Sequence, residues 1–261
     1  MERTAILVLG HGSRRARANA EFEAVVGALR QRRPKLDVGH TYIELAQPLL
    51  ADKLAQLAET AERVVLVPLF LFAAGHLKDD VPGALAAARR AFPRTRFQAA
   101  NALGVHRSMG ELALSRAHSV LSPEEAKATV LLAVGRGSSD ADANGDFCKM
   151  VRLVGEAGRF EWAEPSFIAV TGPRFEAAAE RVAQFAPARV LVLPYFLFGG
   201  ILVEEISAAA CAFATRHPTI DVRLSAHLGG DPRLVDLLEH RLDEVLAGYA
   251  SLPCESCSRA A

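Results

Sequence analysis

The chain is written twice. The stretch "LGHGSRRARANAEF" (Leu9–Phe22) aligns with "VGRGSSDADANGDF" (Val134–Phe147). "ERVVLVPLFLFAAGHL" from Glu62 aligns with "ARVLVLPYFLFGGILV" from Ala188, and "NALGVHRSMGELALSRAHSVL" from Asn101 with "AHLGGDPRLVDLLEHRLDEVL" from Ala226. The offset is 125 residues at the first and last pairs and 126 at the middle one. A period this long is a duplicated domain and not a solenoid repeat. The copies meet near "LSPEEAKA", Leu121 to Ala128. That predicts domains over 1–122 and 126–247, followed by a tail, 248–261, that carries two cysteines.

Each copy alternates short aliphatic runs with segments of helical period. In the first copy the runs predict strands near 4–10, 36–43, 63–71 and 95–101. They are continuous and apolar, without strict alternation, as strands covered on both faces are. Between them, "NAEFEAVVGALRQ" and "PLLADKLAQLAETA" have helical period, and "KDDVPGALAAARRAF" opens a third helix. There Asp79 or Asp80 is expected as the N-cap, with Pro82 in the first turn. Strands alternating with helices imply an α/β fold in which each half is a four-stranded parallel sheet flanked by helices.

Bulk properties exclude some functions. Of the 261 residues 51% are hydrophobic and 23% charged, and the formal net charge is +0, so no bulk electrostatic hold on nucleic acid is expected. The apolar run "VVLVPLFLFAAG" is too short to span a bilayer. With no signal-peptide pattern at the N-terminus, a cytoplasmic location is the expectation. Four cysteines do not make a disulfide framework in a chain this long.

Three polar residues fall just past predicted strands: His11 after the first, Glu44 at the end of the second in "HTYIELAQP", and His76 after the third. In open parallel sheets ligands bind at that edge. The second copy serves as a control, because it has Arg136, Ala169 and Leu202 at the corresponding positions. The scaffold pattern persists there while all three groups are lost, so they serve something other than the fold. Neutral imidazoles bind cobalt, nickel, iron(II) or zinc, and a carboxylate ligates or accepts protons. Two histidines leave a metal's coordination open, which suits an ion that is held and handed on. Arg14, Arg15 and Arg17 follow His11 closely, and guanidinium pairs well with carboxylates, so an anionic substrate is expected at Arg14 and Arg15. Asp79 and Asp80 are assigned to capping, and the six other histidines to surface or packing.

Together, "LGHGSR", "YIELAQP" and "PLFLFAAGHLKDD" resemble the class II tetrapyrrole chelatases of the sirohydrochlorin type, and the length resembles the long, two-domain cobaltochelatase (CbiX-type) family. The resemblance covers nearly the whole chain. It implies ATP-independent insertion of a divalent metal into sirohydrochlorin, in a cleft between two similar α/β domains, with cobalt as the metal and iron or nickel as alternatives. It makes His11 and His76 the metal-binding histidines, which are catalytic with Glu44 beside them. It adds Arg136 to Arg14 and Arg15 as a contact for the carboxylates of the tetrapyrrole. The expected partner is that small molecule, with no nucleic acid or membrane, and the chain is expected to be a monomer or homodimer.

The tail "LPCESCSRAA" is similar to the CxxC tails that some long family members associate with an iron–sulfur cluster. Cys254 and Cys257 alone do not fill a cluster's usual four positions, so no bound iron–sulfur cluster is expected. A shared cluster, a zinc or redox role, and no role all stay open. Two other classes compete with the chelatase. A metal or tetrapyrrole carrier would have no proton to remove and hence no use for Glu44. A phosphohistidine-type phosphatase would want an arginine before the histidine, where Gly10 stands.

Overall fold

The computed structural model describes residues 2–249. Its first half runs β1 (Thr4–Gly10), α1 (Ala16–Arg32), β2 (Asp37–Tyr42), α2 (Leu50–Ala58), β3 (Arg63–Pro68), a π-helical turn (His76–Asp80), α3 (Val81–Ala91), β4 (Arg96–Ala99) and α4 (Arg107–His118). A short helix, α5 (Pro123–Ala126), leads into the second half: β5 (Thr129–Gly135), α6 (Ala141–Ala157), β6 (Trp162–Phe167), α7 (Phe175–Ala183), β7 (Arg189–Pro194), α8 (Ile201–Arg216), β8 (Asp221–Leu224) and α9 (Pro232–Leu246). Two four-stranded parallel sheets result, in the orders β2-β1-β3-β4 and β6-β5-β7-β8. The central strands β1, β3, β5 and β7 are almost wholly buried, as continuous aliphatic runs require.

The third strand is shorter than its apolar run implies. β3 stops at Pro68, and beyond it the carbonyls of Phe70 and Leu71 accept from Leu103 N–H and Gly104 N–H, so the chain leaves the sheet there. The third helix also differs from the expectation. Asp80 stands at the cap position of α3, but its carboxylate makes no cap bond, because the π-helical turn already occupies the preceding backbone.

The compact units do not coincide with the sequence repeats. One unit comprises Met1–Gly104 with the segment from Pro232 on; the other comprises Val105–Asp231. Helix α9 therefore packs in the unit of the first sheet, against α1 and β3, and α4 packs in the unit of the second, against α6 and β7. In the first unit Arg32 pairs with Asp236 and Glu239, and Arg33 with Glu239 and Asp243. The same arginine on each exchanged helix secures it. Arg241 donates to the Leu103 carbonyl in the first unit, and Arg116 donates to the carbonyls of His227, Leu228 and Gly229 in the second.

Candidate functional site

In the first sheet the chain leaves β1 towards β2 on one side and later places β3 on the other. The loops after β1 and β3 therefore diverge at a topological switch point, where open sheets bind ligands. His11 follows β1 there, and His76 opens the turn after β3. Glu44 reaches the same place because the parallel ladder runs past the strands: Ile43 N–H donates to Gly10 O, and Glu44 N–H donates to His11 O at 3.1 Å.

Two glycines make this approach possible. A Cβ on Gly12, whose φ is +93°, would lie 1.8 Å from the Glu44 carbonyl oxygen, and one on Gly10 would lie 2.9 Å from the Phe22 ring. Their counterparts are equally confined: a Cβ on Gly137 (φ +85°) would lie 2.7 Å from the Ala169 carbonyl, and one on Gly135 would meet Phe147. Ala169 N–H donates to Arg136 O at 3.0 Å, and the side-chain amide of Asn19 or Asn144 donates to the carbonyl of Ser13 or Ser138. So the glycines, serine and asparagine of "GHGS…N" build the turn in both halves. The histidine does not.

The three candidate groups converge. His11, Glu44 and His76 each offer a ligand atom, and these atoms lie within 4.8 Å of one another. His11 Nε2 is 3.7 Å from Glu44 Oε1, and the two imidazole rings stand edge to face with centroids 4.9 Å apart. Donors about 2.1 Å from a shared ion stand about 3–4 Å apart, so small side-chain rotations close the cluster on one metal. All three side chains are partly exposed, so an ion held there would have positions open to water or substrate. His11 Nδ1–H donates to Gly12 O at 3.3 Å, and His76 Nδ1–H donates to Asp80 Oδ2 at 2.6 Å. Beside Glu44 lies a shallow hollow, mostly apolar, lined by Ile43, Leu45, Ala46, Gln47 and Leu49.

The arginines expected to contact substrate lie at exposed positions. Arg14 and Arg15 are exposed between His11 and α1. Arg15 occupies the N-cap position of α1 and caps nothing, whereas Asp140 at the matching position of α6 accepts from Asp142 N–H and Ala143 N–H. Arg136 is exposed after β5, in the second unit. Asp80, assigned to capping from the sequence, is a side-chain partner of His76. Its spacing of four from His76 was the available signal, but the Pro82 that follows it made a cap the simpler expectation. Cys254 and Cys257 lie outside the described residues. Among the described residues no helix is long and apolar enough to cross a membrane.

Fold and site thus define a duplicated α/β protein with an open cluster of metal-ligand groups in one copy. Residues 5–120 and 130–245 each match the CbiX family model, and the chain belongs to the CbiX family. It is 30% identical over 257 residues to the sirohydrochlorin cobaltochelatase of Priestia megaterium, covering 97% of this chain and 83% of that one. It is 26% identical over 244 residues to the sirohydrochlorin ferrochelatase of Bacillus subtilis, covering 93% and 92%. The solved structure of SirB from Bacillus subtilis with Fe3+ shares the fold, with a TM-score of 0.84 at 23% identity, over 96% of this chain and 99% of that one.

Proposed function

We propose that this protein is a sirohydrochlorin chelatase that inserts cobalt(II) without a nucleotide. The carrying observation is the gathering of His11, Glu44 and His76 in the first copy, where the second has Arg136, Ala169 and Leu202. Insertion exchanges both pyrrole N–H protons for one metal ion. His11 and His76 present the ion. As each pyrrole nitrogen gives its lone pair to the metal, its proton passes to a base, and Glu44, adjacent to His11, is that base. The carboxylate then releases the proton to water.

The start of α1 supports an anionic substrate. Losing a capping aspartate costs a helix about 1 kcal/mol, and positive charge there also opposes the helix dipole. The first copy carries Arg14 and Arg15 where the second has Ser139 and Asp140, and a polycarboxylate substrate offsets that cost. A cobaltochelatase relative at 30% identity supports cobalt, and ferrochelatase relatives at 26% and 27% identity make iron the alternative. Ligand type does not separate the two metals.

The test is absorbance-monitored insertion into sirohydrochlorin with Co2+, Fe2+ and Ni2+ in parallel. Wild type is expected to insert Co2+ fastest, and His11→Ala and His76→Ala to fall to the uncatalysed rate while melting within a few degrees of wild type. Faster insertion of Fe2+ would replace the metal, and full turnover by either histidine variant would replace the mechanism.

A further inference from the structure

We propose that Asp80 is the positioning residue of His76: it fixes the ring's tautomer and rotation so that Nε2 faces the incoming metal. The proposal rests on the reading of His76 as a metal ligand. It starts from a one-residue difference between the halves. Pro68 and Pro194 end the matching strands β3 and β7, and Val81 and Ile206 are matching helix residues with 0% exposure. Residues 69–80 separate the first pair and residues 195–205 the second, so the first half holds one residue more.

That extra residue is taken up in the π-helical turn. There Val81 N–H donates to the His76 carbonyl five residues back, whereas α8 is regular from Ile201. π-turns of this kind are single-residue bulges that recur at functional sites. Its effect is local. Counted forward from the prolines, His76 corresponds to Leu202; counted back from the buried pair, Asp80 corresponds to Glu205. Only the first half sets a histidine against the carboxylate, at 2.6 Å between Nδ1 and Oδ2.

The chemistry follows from the partners. An ionised carboxylate can only accept, so the proton of the neutral ring sits on Nδ1 and the lone pair on Nε2. A carboxylate behind a ligating histidine also restrains the ring's orientation. His11 Nδ1 lies against the neutral Gly12 carbonyl, at 3.3 Å. His76 is therefore held from behind by a charged acceptor, with Nε2 on the far side of the ring.

The experiment measures Co2+ alone, by titration calorimetry and by the ligand-field absorption of bound Co2+, in wild type, Asp80→Ala, Asp80→Asn and His76→Ala. Asp80→Ala is expected to weaken Co2+ binding about 10–100-fold and to alter the absorption band. In the insertion assay it is expected to lower kcat with the KM for sirohydrochlorin unchanged. Asn keeps an acceptor oxygen and is expected to restore most of the affinity. Asp80 is 61% exposed, so the variants retain the fold, which the melting temperature checks. Asp80→Ala binding Co2+ within twofold of wild type, while His76→Ala has lost it, overturns the proposal. Equal losses in Asp80→Ala and Asp80→Asn overturn the accepting role. Unchanged Co2+ binding in His76→Ala would instead refute His76 as a ligand, and with it the functional reading itself.

Discussion

On the proposed reading, Glu44 is the residue that separates a chelatase from a carrier. Its backbone is tied to His11 by a hydrogen bond that Ala169 and Arg136 reproduce in the second half, so any residue would be held at this place. The carboxylate is the variable part. Glu44→Gln keeps the shape and one acceptor oxygen but cannot take a proton. It is expected to bind Co2+ as wild type does while single-turnover insertion slows by about 100-fold or more, the range of a lost general base. Unchanged insertion kinetics would assign the protons to another group. His11, Glu44 and His76 were legible in the sequence because the chain carries its own comparison, a second copy without them. Asp80 was not, since an aspartate two residues before a proline reads as a cap, and its contact with His76 depends on a π-turn that periodicity does not display.

At the scale of elements, the tight turn after β1 carries the site. An alanine at position 12 meets two obstacles, a positive φ that costs about 1–2 kcal/mol for residues with a Cβ and the Glu44 carbonyl 1.8 Å away. Gly12→Ala is expected to lower the melting temperature and, by forcing the Glu44 loop away from His11, to reduce insertion more than Gly137→Ala does in the second half. Equal effects of the two substitutions would refute this.

Helix α5 makes a second prediction. Ser122 caps it with Glu125 in a reciprocal box, and Arg223 joins the same carboxylate. The Ser122 backbone N–H, the Arg223 guanidinium and the Ser122 hydroxyl hold the Glu125 carboxyl down to about 2, from an ordinary 4.5. A carboxyl depressed in the folded state stabilises it at pH above the unfolded value, and loses that contribution as pH falls through the folded one. Glu125→Gln should therefore melt below wild type at neutral pH, with the difference closing between about pH 4.5 and 2. A difference independent of pH would refute it.

For the whole molecule, the exchange of α4 and α9 decides which fragments fold. The first sheet is covered by a helix from the end of the chain, whose Leu234, Leu237, Leu238, Leu242 and Val245 are buried. A fragment ending at residue 122 holds every member of the metal-ligand cluster but lacks that helix and its ion pairs with Arg32 and Arg33. It is expected to be unstable as a monomer by thermal melting and size-exclusion chromatography. Joining residues 1–104 to 232–249 through a flexible linker should restore a cooperative transition. A stable monomer of residues 1–122 would show that α4 replaces α9 on the first sheet.

The sequence by itself determined the architecture: two copies, four parallel strands in each, turns built on Gly10, Gly12, Gly135 and Gly137, and three candidate ligand residues confined to one copy. Local pattern suffices for this, because strand burial, turn conformation and the absence of a side chain are written position by position. Only the tertiary structure decided which helix covers which sheet. Met109, Leu112, Ala113 and Ala117 of α4 are buried at the same spacing as Leu234, Leu237, Leu238 and Leu242 of α9. Equivalent apolar faces fit equivalent sheets, so the pattern cannot choose between them. The same holds for Asp80, whose partner is set by where a single extra residue is absorbed between a buried strand and a buried helix.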